Sequence, residues 1–176
     1  MIYLTTYPTP VGRVTLAGDG NRLTGLWFEG QRHFASPLPE PVAYGELPLF
    51  DDVRRWLTVY FAGHRPDFMP PVGPTGTPFR RAVWKLLGRI PYGTVVSYGQ
   101  LAEALTRTTG TRVSPRAVGN AVGHNPVSLL IPCHRVVGSD GSLTGYAGGL
   151  PLKARLLALE GVTSTLPPAE APFLFD

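Results

Sequence analysis

"SYGQLAEALTRTTGTRVSPRAVGNAVG", residues 97–123, is the stretch whose reading decides the fold of the second half of this chain. Ser97 stands three residues before Gln100, the spacing of a capping box, in which the hydroxyl takes a backbone N–H and the glutamine reaches back. This predicts a helix from Tyr98 to about Leu105. Ser114 then precedes Pro115, a cap followed by a residue whose fixed φ suits a first helical turn, and Gly123 closes a second helix. Two short helices, the second opening with the cation Arg116, outline a helix-turn-helix. The link TRTTGTRVS is longer than the three or four residues of a tight DNA-reading turn, so an ordinary helix pair of an all-α core remains an alternative. Ala117, Gly119, Ala121 and Gly123 keep the second helix slim. A helix lying in a groove needs that slimness, and close helix packing explains it equally well.

Working outward, Thr77 and Pro78 open a helix over 78–87 that Gly88 ends. The preceding HRPDFMPPVGPTGTP, 64–78, holds too much Pro and Gly for regular structure and marks a boundary between domains 1–76 and 77–176. Before it, Leu49, Phe50, Val53, Trp56, Leu57, Tyr60 and Phe61 recur at helical spacing, predicting an amphipathic helix over 49–62. Segments 2–7, 12–17 and 22–28 are short, rich in β-branched and aromatic residues, and separated by PTPVG and GDGN. They read as an antiparallel meander that the helix covers. A Pro-rich stretch runs from Ser36 to Pro48. The expected fold class is α+β: an N-terminal three-stranded antiparallel sheet with a covering helix, then a mostly helical domain.

The 176 residues, 43% of them hydrophobic, suffice for a real core. No run approaches eighteen apolar residues, and MIYLTTYPTP lacks the basic start and apolar stretch of a secretory leader, so a cytoplasmic protein without a membrane span is expected. A single cysteine excludes an internal disulfide, and with four scattered histidines it shows no zinc-site spacing, so no metal is expected. Charge is uneven: residues 1–79 carry six Arg against seven acids, while 80–176 carry ten Arg or Lys against five. Such a basic half suits a polyanionic partner, though an excess of this size also occurs on proteins that bind no nucleic acid.

The basic half holds the lone cysteine, in "IPCHRV", 131–136. A lone intracellular cysteine is usually a small buried hydrophobe. A thiol becomes a nucleophile as thiolate, however, and His134 and Arg135 are residue types that lower its pKa or take its proton. In a β-like segment His134 would point away from Cys133, so proton exchange would need a bend, which Pro132 can supply, or a bridging water.

The segments IPCHRVVGSDGSLTGYAGGLPLKARLLALEG, RAVGNAVGHNPV and VVSYGQLA resemble the O6-alkylguanine-DNA alkyltransferases closely over residues 78–161 and, for the N-terminal part, in outline. The Pro-Cys-His-Arg-Val core, an Asn eight residues before the Cys, the Arg opening the second helix, a Tyr-x-Gly-Gly loop and a Glu closing the last helix all occur in order.

The resemblance implies that Cys133 accepts the alkyl group of O6-alkylguanine, and of O4-alkylthymine, irreversibly, one lesion per molecule. His134 takes the thiol proton through a water, and Glu160 orients the imidazole. Glu160 also reads as a solvated charge near a helix end, although an anion gains nothing from the macrodipole there. Tyr98 donates to the base as negative charge develops on it. Asn125 ties the recognition helix to the cysteine segment, or is only a turn residue before Pro126. Val136 and the wall Tyr146, Ala147, Gly148 and Gly149 line the substrate pocket; Ala147 stands where many relatives carry a hydroxyl. Arg116 fills the stack after the base rotates out, with a phosphate contact as its plainer role, and Ser114, Ala117, Gly119 and Arg135 join the DNA surface. The implied partner is double-stranded DNA bearing O6-alkylguanine, met by a monomer without cofactor. A Cys-His hydrolase, a lesion-binding protein without transfer and a transcriptional regulator are the competing classes. The first normally separates its histidine from its cysteine in sequence, the second lacks a nucleophile, and the third normally shows a dimerisation segment.

Overall fold

A computed structural model describes residues 1–36, 38 and 41–175; Pro37, Pro39 and Glu40 of the Pro-rich stretch, and Asp176, lie outside the described residues. The chain forms two units, Met1–Gly76 with Pro126–Leu130, and Thr77–Asn125 with Ile131–Asp176.

In the first unit, β1 (Ile2–Thr9), β2 (Gly12–Gly18) and β3 (Leu23–Phe28) form the expected antiparallel meander. Along β2, Val14 and Leu16 are fully buried while Thr15 between them is only half-buried, the period of a pleated strand. The sheet has four strands rather than three: β4 (Val42–Tyr44) runs parallel to the outer edge of β1, giving the order β3-β2-β1-β4. Helix α1 (Pro48–Phe61) lies on β1 and β2. It buries Leu49, Phe50, Val53, Trp56, Leu57 and Tyr60, each contributing about 1.5–3 kcal/mol if fully removed from water. The Trp27 ring folds over Gly25, where a Cβ would sit 2.0 Å from it, so position 25 admits no side chain with the ring in place.

Pro126–Leu130 joins this unit through Leu26, whose N–H donates to the Pro126 carbonyl at 2.8 Å and whose carbonyl accepts from Ser128 N at 3.1 Å. Leu129 has a φ of 72°, with Leu130 N donating to Ser128 O across it at 2.9 Å. This is a γ-turn of positive φ, strained for a branched residue, and it reverses the chain just ahead of the cysteine segment.

In the second unit, Thr77 caps α2 (Pro78–Leu87) by accepting from Arg80 N at 3.2 Å. Both arms of the expected capping box start α3 (Tyr98–Thr109): Ser97 accepts from Gln100 N at 3.1 Å, and the Gln100 side chain accepts from Ser97 N at 2.9 Å. Ser114 caps α4 (Pro115–Gly123) by accepting from Ala117 N at 3.1 Å. α3 outlasts its expected end at Leu105 by one turn. The hydroxyls of Thr106, Thr108 and Thr109 donate back to the carbonyls of Ala102, Ala104 and Leu105, carrying weak helix formers as far as Gly110, whose φ of 73° ends the helix. The turn to α4 is thereby cut to residues 110–114, nearer the tight turn of a helix-turn-helix. Thr106 Oγ1 also accepts from Val113 N at 2.9 Å across the link between α3 and α4, and Trp84 of α2 donates to the Ala121 carbonyl at 2.8 Å, tying α2 to the last turn of α4. A two-residue parallel pair, β5 (Val96–Ser97) with β6 (Val136–Val137), joins the start of α3 to the residues just past the cysteine. α5 (Leu150–Leu159) completes the unit, and a single 3-10 turn, Pro172–Leu174, buries Leu174 in the tail.

Candidate active site

Cys133 opens a one-turn 3-10 helix, Cys133–Arg135, and is only 5% exposed. The chain enters it through an inverse γ-turn at Pro132 (φ −82°, ψ 66°), with Cys133 N donating to the Ile131 carbonyl at 2.8 Å. The β-like geometry expected from the sequence is therefore replaced by a tight helical turn. Successive side chains diverge by a third of a turn instead of alternating, so Cys133, His134 and Arg135 all point into buried surroundings.

Behind the cysteine lies a closed electrostatic cluster around the Glu160 carboxylate. His134 Nε2 stands 2.5 Å from its Oε2, Arg135 Nε donates to Oε1 at 2.8 Å and Arg135 Nη2 to Oε2 at 3.2 Å, and Gly93 N donates to Oε1 at 3.0 Å. Arg135 Nη1 is held by the Ile90 carbonyl at 2.8 Å. Gly93 (φ 77°) is where the chain must pass close: a Cβ there would stand 3.2 Å from the Glu160 carbonyl oxygen. Burial opposes the Glu160 charge, but the hydrogen bond from His134 and the charge and hydrogen bonds of Arg135 outweigh it and bring the carboxyl from 4.5 down to about 2. Burial holds His134 below its ordinary value, against the pull of Glu160, so the resting imidazole is neutral. An ionised carboxylate cannot donate, so Nε2 carries the proton and Nδ1 is left as the basic nitrogen.

The thiol itself is pushed up by burial, while a hydrogen bond from the Asn125 side chain and the charge of Lys153 pull it back. Asn125, just past the end of α4, also donates from Nδ2 to the Ile131 carbonyl at 2.8 Å, tying that helix end to the turn that carries the cysteine. Tyr98, first residue of α3, donates from its hydroxyl to the Thr144 carbonyl at 3.0 Å. Burial, then the neighbouring Cys133, raise its phenol, so it remains a donor at neutral pH. Tyr146 is buried, Ala147, Gly148 and Gly149 are half-buried on the same loop, and Val136 is fully buried in β6.

On α4, Ser114, Arg116 and Ala117 are exposed, and Gly119 faces the Tyr98 ring, whose nearest carbon would lie 3.7 Å from a Cβ there. Arg135, expected on the DNA surface, is instead 8% exposed, its guanidinium committed to Glu160 and Ile90. Three participants escaped the sequence reading: the Gly93 N–H, the Thr144 carbonyl and Lys153. The signal for the last was present, since Leu156 and Leu157 follow Lys153 at helical spacings of three and four and Glu160 at seven, which puts the lysine on the apolar stripe of α5. Among the described residues no group of three or more His, Cys, Asp and Glu could hold a metal ion, and no helix is long and apolar enough to cross a membrane.

Two family models match along the chain. The DNA binding domain of 6-O-methylguanine DNA methyltransferase covers residues 78–162, and the ribonuclease-like domain of the same family covers 2–74. This chain belongs to the 6-O-methylguanine DNA methyltransferase family. Among its relatives, the methylated-DNA--protein-cysteine methyltransferase of Haemophilus influenzae is 42% identical over 162 residues, covering 92% of this chain and 87% of that protein. The constitutive enzyme of that name from Bacillus subtilis is 38% identical over 166 residues, 93% of this chain and 98% of that protein. The crystal structure of Mycobacterium tuberculosis OGT in complex with DNA superposes with a TM-score of 0.77 at 38% identity, covering 99% of both chains.

Proposed function

We propose that this protein repairs DNA by direct reversal, transferring the alkyl group of O6-alkylguanine in duplex DNA irreversibly to Cys133, and that O4-alkylthymine is a second substrate. The observation that carries this reading is a buried thiol on a one-turn helix whose next residue, His134, is oriented by an ionised Glu160. The thiol proton passes through a water to His134 Nδ1, and Glu160, held ionised by Arg135, stabilises the imidazolium that results. The thiolate attacks the alkyl carbon in line: the sulfur–carbon bond forms, the carbon–oxygen bond breaks, and the electron pair moves onto the base. Tyr98 donates to the base as that charge grows. Nothing in the site reverses a thioether, so each molecule acts once.

A stacked base is out of reach of a buried sulfur, so the nucleotide rotates out of the helix, and Arg116, exposed at the head of α4, fills the space left behind. Ser114, Ala117 and Gly119 bring the slim helix against the sugar-phosphate backbone, which gives affinity without sequence readout. The loop Tyr146–Gly149, with Val136, walls the extruded base. The protein works as a cytoplasmic monomer. Incubation with a duplex carrying one O6-methylguanine should raise the intact protein mass by one methyl, once per molecule, and Cys133→Ala should show no gain while keeping its DNA affinity. Methyl uptake by that variant would overturn the assignment of the acceptor.

A further inference from the structure

Lys153 is fully buried on α5, and no step above uses it. A lysine out of water is costly, and an apolar side chain of similar volume would normally be tolerated as well or better, so its presence calls for a partner charge or a task. Its Nζ donates to the Thr144 carbonyl at 2.8 Å, the same oxygen that accepts the Tyr98 hydroxyl at 3.0 Å, and it stands 6.0 Å from the centre of the Tyr98 ring. The titratable groups coupled to it are Cys133, Tyr98 and His134; of these only the sulfur becomes an anion during transfer.

We propose that Lys153 is a positioning residue of the transfer step: its ammonium supplies the positive charge for the Cys133 thiolate and holds the Thr144 carbonyl, so that the Tyr98 hydroxyl can leave that oxygen for the base. The proposal rests on the alkyl-transfer reading. A carbonyl oxygen has two lone pairs and accepts both donors at rest. When Tyr98 turns to an incoming base, the oxygen keeps its lysine partner, and the wall loop does not lose its anchor. The charge is poised as well as placed, because burial, only partly offset by Cys133, brings the ammonium from 10.5 to about 8.

Two variants separate charge from hydrogen bonding. Lys153→Met removes both with little change in volume, and Lys153→Gln keeps a donor for Thr144 without the charge. The first readout is the pH profile of Cys133 alkylation by iodoacetamide, which needs neither DNA nor base. Both variants should move the profile upward by about one pH unit, which is about tenfold less thiolate at pH 7. Profiles superimposable on the wild type would overturn the proposal, whatever the variants' melting temperatures, since a merely structural lysine would alter stability and leave the thiol alone. The second readout is single-turnover transfer from an O6-methylguanine duplex, expected to slow about tenfold in both variants and further in Lys153→Met, with DNA affinity unchanged; wild-type rates in both would also overturn it. If the wild type itself takes no methyl from that duplex, the alkyl-transfer reading fails, and the iodoacetamide profile still decides whether Lys153 sets the thiol.

Discussion

A carboxylate taken out of water without compensation would take up a proton, and Glu160 escapes this because His134, Arg135 and the Gly93 N–H surround it with donors. Glu160→Gln removes the charge and leaves the Arg135 guanidinium buried without an anion, so urea unfolding at pH 7 should show a loss of about 3–5 kcal/mol. Single-turnover transfer should fall by at least a hundredfold, the scale of a lost proton-transfer partner. A variant that transfers at the wild-type rate would take Glu160 out of the relay. The same carboxyl sets an acid limit. Its folded value, about 2, lies below the ordinary 4.5, so the unfolded chain binds the proton first, and the stabilisation present above about 4.5 is lost as pH falls toward 2. His134, held neutral by burial, adds in the same direction below its ordinary value of 6.5. Urea midpoints measured from pH 7 downward should therefore fall through this range, and the part below 4.5 should be smaller in Glu160→Gln, where His134 and the other carboxyls held low in the fold, Asp19, Glu46 and Asp140, still contribute. Cys133 and His134 stood out in the sequence as a lone thiol followed by a base, whereas Glu160 came only with the family resemblance, because an acid near a helix end also reads as a solvated charge. Arg135 was not legible: adjacency to a cysteine suits a DNA contact as well as a core ion pair, and only the 3-10 turn decides which way the guanidinium points.

The helix pair α3 and α4 is held in register by few bonds, and one of them can be removed cleanly. Thr106 Oγ1 accepts the Val113 N–H inside the turn, so Thr106→Val, nearly equal in shape, strands that donor at a cost of roughly 1–3 kcal/mol. With α4 as the proposed DNA face, duplex affinity should drop while alkylation of Cys133 by a small reagent stays as in the wild type; equal losses in both would mean that the turn also supports the site. Arg116→Ala should slow transfer from duplex far more than transfer from the free methylated base, which has no stack to open. Equal slowing would place Arg116 inside the pocket. The starts of these helices could be read from the sequence because capping is local chemistry, settled by Ser97 with Gln100 and by Ser114 with Pro115. The last turn of α3 could not, since threonines score poorly as helix formers until their hydroxyls find the carbonyls four residues back. β4, β5 and β6 are two or three residues long, too short to show a period, and their pairings, Ile2 with Val42 and Val96 with Val136, span 40 residues of chain.

For the molecule as a whole, the charge of +4, gathered in the half that carries the site, should make duplex affinity weaken steadily with added salt as counterions return to the phosphates. The larger consequence concerns the spent protein. An alkyl group on Cys133 enters a space where the sulfur is 5% exposed, and overpacking of that kind costs about 1–3 kcal/mol. The sulfur can also no longer become an anion, so the hydrogen bond from Asn125 loses its best acceptor and the buried Lys153 ammonium loses the negative partner that Cys133 supplies. Against total stabilities of roughly 5–15 kcal/mol for small proteins, the two losses together form a large fraction. The alkylated form should melt below the fresh form, with benzyl below methyl, and should be cleaved faster by protease. Asn125 joins the end of α4 to the cysteine turn through the Ile131 carbonyl, so strain at the sulfur bears on the helix proposed to hold DNA, and the alkylated protein should release duplex more readily. Thermal midpoints and duplex affinities of unmodified, methylated and benzylated protein, compared at one pH and one salt, provide the measurement. Coincident midpoints in all three would mean that the pocket absorbs the adduct, and that release of the repaired DNA owes nothing to strain at Cys133.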